Sequence, residues 1–170
     1  MKVAIIGAGP RGLWASEELM ERSRERGAAI DVTVFDAKPL EESSAPGAFR
    51  DSVPEEFILN APKSIVETKL GPLDPNDELP GDFPSRKHVG EHLDKSWCAL
   101  EENLPPRCSL THRVENIEMV EPTDSGVDVL GEHFDEVLMV TGHAHDWPGS
   151  LAHADLGELK VVAPAYPPSN

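Results

Sequence analysis

Cysteine is scarce in this chain. Its two cysteines, Cys98 and Cys108, cannot form a disulfide framework, and they do not make a CxxC pair. Both read as ordinary reduced thiols. Long apolar runs are missing too, so no segment supplies the roughly twenty residues that a membrane-spanning helix requires. The opening run Val3 to Ile6 is too short for a signal core and leads straight into glycines, so a cytoplasmic protein is expected. Positive charge is in short supply as well: 15 Lys and Arg face 31 Asp and Glu, a formal charge of −16. Nucleic acid and anionic membrane would both be repelled, and neither is an expected partner. A phosphate-bearing small molecule would have to be held by local backbone dipoles, because no general positive field exists to attract it.

What is present suits one packed domain, with 170 residues of which 39% are hydrophobic. Lys2-Val3-Ala4-Ile5-Ile6 holds four consecutive apolar residues, three of them β-branched, as in a strand covered on both faces of a parallel sheet. A helix is predicted from Pro10 to about Arg26, with Gly12, Ala15, Ser16, Leu19 and Met20 on its sheet side. Arg22, Arg24 and Arg26 gather where the helix dipole favours cations, and Gly27 is a stop signal. Asp31 to Phe35 reads as a second strand ending on Asp36.

From 37 to 84 periodicity fades, and eight of the sixteen prolines lie between Pro39 and Pro84. Such a stretch reads as a functional loop or a disordered insertion, and the short apolar piece Phe57-Ile58-Leu59-Asn60 argues that part of it packs. A helix is predicted from about Arg86 to Leu100. Short alternating segments follow, at Leu110, His112 and Val114, then Ile117 and Met119, then Val127 and Val129; together they read as a β-meander. Val137 to Val140 reads as another buried strand, ending on Thr141-Gly142-His143. The first domain is placed at 1–150, with a tail at 151–170 in which Lys160-Val161-Val162 is a candidate strand. The fold class expected is α/β, a three-layer domain with a parallel sheet and a β-meander.

The chemistry sits in Gly7-Ala8-Gly9-Pro10-Arg11-Gly12, a GxGxxG between a strand and a helix. Asp36 follows 36 − 7 = 29 residues after the first glycine, about one βαβ unit. Gly7 permits the turn, Gly9 lets a pyrophosphate approach the backbone, and Gly12 lets helix and strand lie close. The helix N-terminus offers N–H groups to phosphates. Asp36 can accept ribose hydroxyls, and its charge would repel a 2′-phosphate.

With Leu59-Asn60-Ala61-Pro62, the run from Pro84 to Leu93 and Met139-Val140-Thr141-Gly142-His143, the chain resembles the FAD/NAD(P)-binding family related to bacterial flavin-dependent N-hydroxylating monooxygenases. The resemblance implies a three-layer Rossmann-like FAD/NAD(P)-binding domain, with FAD along the sheet edge. Gly7, Gly9, Pro10, Arg11 and Gly12 would surround the pyrophosphate, and Asp36 would hold the adenosine ribose. Backbone near Arg113 and Val114 would contact adenine, Thr141 and Gly142 would lie by the pyrophosphate or ribitol, and Asn60 and Arg86 would face the flavin. It further implies a second nucleotide-binding region for NAD(P)H, starting about where Asn170 stands, and a reaction in which reduced flavin and oxygen oxygenate a substrate. No catalytic residue is assigned. Two alternatives stand beside this: a dinucleotide-binding module without turnover, and a zinc hydrolase through His88, Glu91 and His92, an HxxEH run.

Overall fold

The computed structural model describes residues 1–37, 49 and 54–142. The chain begins with strand β1 (Lys2–Ile6), helix α1 (Pro10–Arg26) and strand β2 (Asp31–Asp36). After a two-residue hairpin, β3 (Glu67–Thr68) and β4 (Gly71–Pro72), come helix α2 (Arg86–Glu102) and strand β5 (Ser109–Val114). Three short strands follow, β6 (Glu121–Thr123), β7 (Gly126–Val129) and β8 (Glu132–Phe134), and then β9 (Glu136–Met139).

Four strands form a sheet in the order β5-β2-β1-β9, and every pairing in it is parallel. Parallel neighbours need crossover connections. Helix α1 supplies the one from β1 to β2, and α2 the one from β2 to β5. The link from β5 to β9 is an antiparallel meander, β6-β7-β8. The strand period of two then separates the cores. Val3, Ile5, Val32 and Val34 pack with Leu13, Met20, Leu93 and Trp97 of the helices. Ala4, Ile6 and Phe35 pack with Val129 and Phe134 of the meander. The layers are helices, sheet and meander, as the sequence predicts. Phe35 and Phe134 meet edge to face at 5.9 Å across the last two layers, a geometry worth roughly 1 kcal/mol beyond the area it buries.

Three details differ from the sequence reading. The segment Leu110–Val114 is not part of the meander; it is β5, paired residue for residue with β2 from Asp31↔Ser109 to Asp36↔Val114. The reason is α2, which returns the chain to the same sheet face and so delivers a parallel strand. Ile117 and Met119 lie in irregular chain ahead of β6. The meander instead begins on Glu121-Pro122-Thr123, an edge strand on which proline's missing N–H does no harm. Finally, β9 is not buried on both faces, because it forms an edge of the described sheet. Leu138 is 39% exposed and Met139 56%.

Gly27 ends α1 in the left-handed conformation, φ 61°, as predicted. Within the 37–84 stretch, residues 54–84 hold a 3-10 turn at Lys63–Ile65 and the β3–β4 hairpin; Lys63 binds Asp74 at 2.8 Å and the Leu79 carbonyl at 2.7 Å. On the buried face of α1 sits an unexpected acid. Glu17 is 5% exposed and accepts the Lys69 N–H at 3.0 Å. Burial holds its carboxyl above the usual carboxylate range, against the opposing pull of Lys69. A folded-state pKa above the unfolded one favours the native state most below about pH 4.3, and that contribution fades as pH rises through the raised value. Glu17→Gln keeps an oxygen acceptor and removes the charge. It is expected to raise the melting temperature at pH 7, with the gain shrinking toward zero near pH 4. A lower melting temperature at pH 7 would mean that the attraction of Lys69 outweighs burial.

Candidate dinucleotide site

The C-terminal ends of the parallel strands share one edge of the sheet. There the chain leaves β1 toward the helix layer, while β9 is reached from the meander layer. Between these neighbours lies the topological switch point, where open α/β sheets form a crevice. Gly7–Gly12 begins at the end of β1, in that crevice.

The first peptides of the loop are tied down. The Gly7 N–H donates to the Phe35 carbonyl at 2.7 Å, and the Ala8 N–H donates to Asp36 Oδ2 at 2.9 Å. The Ala8 carbonyl accepts from Trp97 Nε1 at 3.2 Å. Gly7 has φ +114°, and a Cβ there would stand 2.6 Å from the Val140 oxygen and 3.3 Å from Thr141 Cα. A Cβ on Gly12 would stand 2.1 Å from the Gly7 oxygen. The first glycine thus admits the chain leaving β9, and the third lets α1 sit on the loop. Gly9 precedes the helix in extended backbone without a side-chain cap, Pro10 opens the first turn, and that turn holds no acid. Such an N-terminus presents backbone donors and the positive end of the helix dipole, which suits an anion.

Asp36, half-buried, ends β2 beside this loop, and its carbonyl accepts the Glu115 N–H at 2.9 Å. Opposite Asp36 on β5 stands Val114, 56% exposed, an apolar surface open at the same edge. Arg113 belongs to the other face. Its guanidinium binds Glu132 at 2.7 Å and lies over the Phe35 ring at 5.0 Å, so it offers the sheet edge its backbone and not its charge. Thr141 and Gly142 are exposed just beyond β9. His143 to His145 and Trp147 lie outside the described residues.

Asn60 and Arg86 are brought together by a strap. Ile58 bridges Ser85, the Leu59 N–H donates to the Pro84 carbonyl at 2.8 Å, and the Arg86 N–H donates to the Phe57 carbonyl at 2.8 Å. Arg86 stacks over Phe49 at 5.7 Å. It lies 97 − 86 = 11 residues before Trp97, which is about 16 Å along the helix axis at 1.5 Å per residue. Arg86 therefore stands well apart from Trp97, the point at which α2 meets the glycine loop.

The histidines of HxxEH serve the helix instead. His88 Nδ1 pairs with Ser85 Oγ at 2.9 Å, and that same hydroxyl caps α2. His92 Nε2 meets Thr68 Oγ1 at 3.3 Å, and Thr68 bonds Ser96 at 2.8 Å, joining the β3–β4 hairpin to α2. Among the described residues no three His, Cys, Asp or Glu side chains cluster as metal ligands. The zinc reading draws no support from this geometry.

Two residues at the loop escaped sequence reasoning. Trp97 is fully buried, and His112 meets it edge to face at 4.7 Å while binding Glu101 at 2.9 Å. Burial lowers the His112 pKa, and Glu101 opposes the shift. The available signal was the apolar stripe Val89, Leu93, Trp97 on α2: a tryptophan on a core face needs a partner for its N–H. A cleft of about 370 Å³ lies elsewhere, between α1, α2 and Lys69–Leu70, and contains none of the glycine-motif residues.

No helix among the described residues is long and apolar enough to cross a membrane. No curated protein matches the chain. A family model described as FAD-NAD(P)-binding matches residues 4–144, from within β1 to just past Gly142, and so takes in the glycine loop, Asp36, α2 and the end of β9. With the parallel sheet and the loop geometry in agreement over most of its length, the chain belongs to the FAD-NAD(P)-binding family.

Proposed function

We propose that this chain binds FAD and forms the flavin-binding part of an NAD(P)H-driven, monooxygenase-like oxidoreductase working in the cytoplasm. The observation that carries the FAD reading is the connection from β5 to β9. A further βα unit would suit a simple NAD domain; here a three-stranded meander takes its place, an arrangement like that of the FAD domains of two-dinucleotide flavoproteins. In this reading the N–H groups of Gly9, Arg11 and Gly12 receive the diphosphate. Asp36 accepts from the adenosine ribose, and Val114 with the backbone at Arg113 borders adenine. Thr141 and Gly142 close the crevice on the β9 side. Arg86, about 16 Å along α2 from Trp97, and Asn60 on the strap beside it would take the flavin half of an extended dinucleotide. A bound flavin supplies the redox chemistry, and these residues bind and orient it. The charge of Asp36 disfavours a 2′-phosphate at this site, so NADP is a poor competitor.

The test is a visible spectrum of the purified chain followed by a fluorescence titration with FAD. Flavin absorbance, or FAD binding at least tenfold tighter than NAD, is the expected result. NAD binding equal to or tighter than FAD binding would overturn the flavin assignment and leave a dinucleotide-binding module.

A further inference from the structure

We infer that Trp97 is a positioning residue for the dinucleotide: by holding the Ala8 carbonyl inward, its indole N–H turns the Gly9 N–H out toward the diphosphate. This rests on the reading of the glycine loop as the diphosphate site. The geometry follows from peptide planarity. In a trans peptide the carbonyl of one residue and the N–H of the next point in opposite directions. The Ala8 carbonyl is fixed on Trp97 Nε1 at 3.2 Å, on the core side, because Trp97 is fully buried on the sheet-facing stripe of α2. The Gly9 N–H must then point away from the core.

The preceding peptide is fixed by the same logic. The Ala8 N–H is held by Asp36 Oδ2 at 2.9 Å, which turns the Gly7 carbonyl the other way, to where Gly12 lies over it. The Ala8 N–H is thus already committed, and Gly9 provides the first loop donor that faces outward. Pro10 has no N–H, so Gly9 is separated from the next donors, at Arg11 and Gly12, by a gap of one residue. If the Ala8–Gly9 peptide were free to turn, the loop would lose its leading donor.

Trp97 is itself supported. The His112 ring packs against it at 4.7 Å and 85°, and Glu101 holds His112 at 2.9 Å. The chain of contacts from Glu101 through His112 and Trp97 to Ala8 links α2 and β5 to the loop that leaves β1.

The experiment compares wild type with Trp97→Phe, which keeps an aromatic ring and deletes the donor. ADP and adenosine are titrated calorimetrically into both proteins, and the ¹⁵N-labelled Gly9 amide is followed by NMR as ADP is added. ADP affinity is expected to fall roughly five- to tenfold, the worth of about one hydrogen bond, with adenosine affinity unchanged and the ADP-induced Gly9 shift reduced. A merely structural role would weaken both ligands alike. Equal loss for ADP and adenosine, or no loss for either, would overturn the assignment. If wild type binds neither ligand, the site itself is wrong, a distinct failure from that of Trp97. Should the phenylalanine variant fail to fold, 3-benzothienylalanine at position 97 replaces the N–H by sulfur at nearly the same volume, with the same expected outcomes.

Discussion

Gly12→Ala is expected to cost the protein on the order of 3 kcal/mol of stability or to prevent folding, the range of severe overpacking. One added methyl group carries this large effect because of what it would meet. A Cβ at position 12 falls 2.1 Å from the Gly7 oxygen and 3.1 Å from the Gly7 carbon. Both are backbone atoms just past the buried residues Val3 to Ile6 of β1, so neither can swing aside as a side-chain tip could. Relief would require α1 to lift from the loop, and Leu13 and Met20 would then lose their contacts with the sheet. Gly27 provides the comparison. It too is at a helix end and has φ +61°, but a Cβ there meets nothing within 4 Å. Gly27→Ala should therefore cost only the left-handed backbone strain, about 1 kcal/mol. Urea denaturation of the two variants checks the contrast, and equal losses would show that the loop gives way more easily than its hydrogen bonds suggest.

The second large effect is expected at Asp36. One of its carboxylate oxygens holds the Ala8 N–H at 2.9 Å, and its own carbonyl ties β2 to Glu115. Asp36→Ala removes the acceptor for a loop N–H and, in the proposed function, the acceptor for ribose hydroxyls. Hydrogen bonds to a charged group contribute about 1.5–3 kcal/mol. FAD affinity should accordingly fall on the order of tenfold to a hundredfold. Asp36→Asn retains an oxygen that can take the Ala8 N–H but lacks the charge. It should recover part of the FAD affinity and admit NADP better than wild type does. Titrations of both variants with FAD and NADP read these outcomes. An Asp36→Ala protein that binds FAD as wild type does would remove Asp36 from the site.

How far these elements were legible depended on how local their causes are. The β1–loop–α1–β2 unit could be read residue by residue, because β-branched runs, three glycines and a terminal acid specify it without help from distant chain. The C-terminal stop at Gly27 was legible for the same reason. The identity of β5 was not. Leu110, His112 and Val114 alternate as any half-buried strand does, and only the crossover helix decides that the strand runs parallel beside β2. The edge position of β9 was equally hidden, since Val137 to Val140 reads like β1 in composition. Trp97 and Glu17 belong to a third kind. Their partners, Ala8 and Lys69, lie 89 and 52 residues away, and no local pattern reports such pairings. The site was thus legible where it is made of glycines and invisible where a distant side chain holds those glycines in place.

The most direct measurement is an amide NMR titration of the ¹⁵N-labelled chain with ADP, the adenosine diphosphate half common to FAD and NAD. The account predicts saturable shifts at Gly7 to Gly9, Arg11 to Leu13, Asp36, Arg113 to Glu115 and Thr141 to Gly142, with the cleft between α1 and α2 undisturbed. No shifts, or shifts centred on Glu17, Lys69 and Asn103, would contradict it.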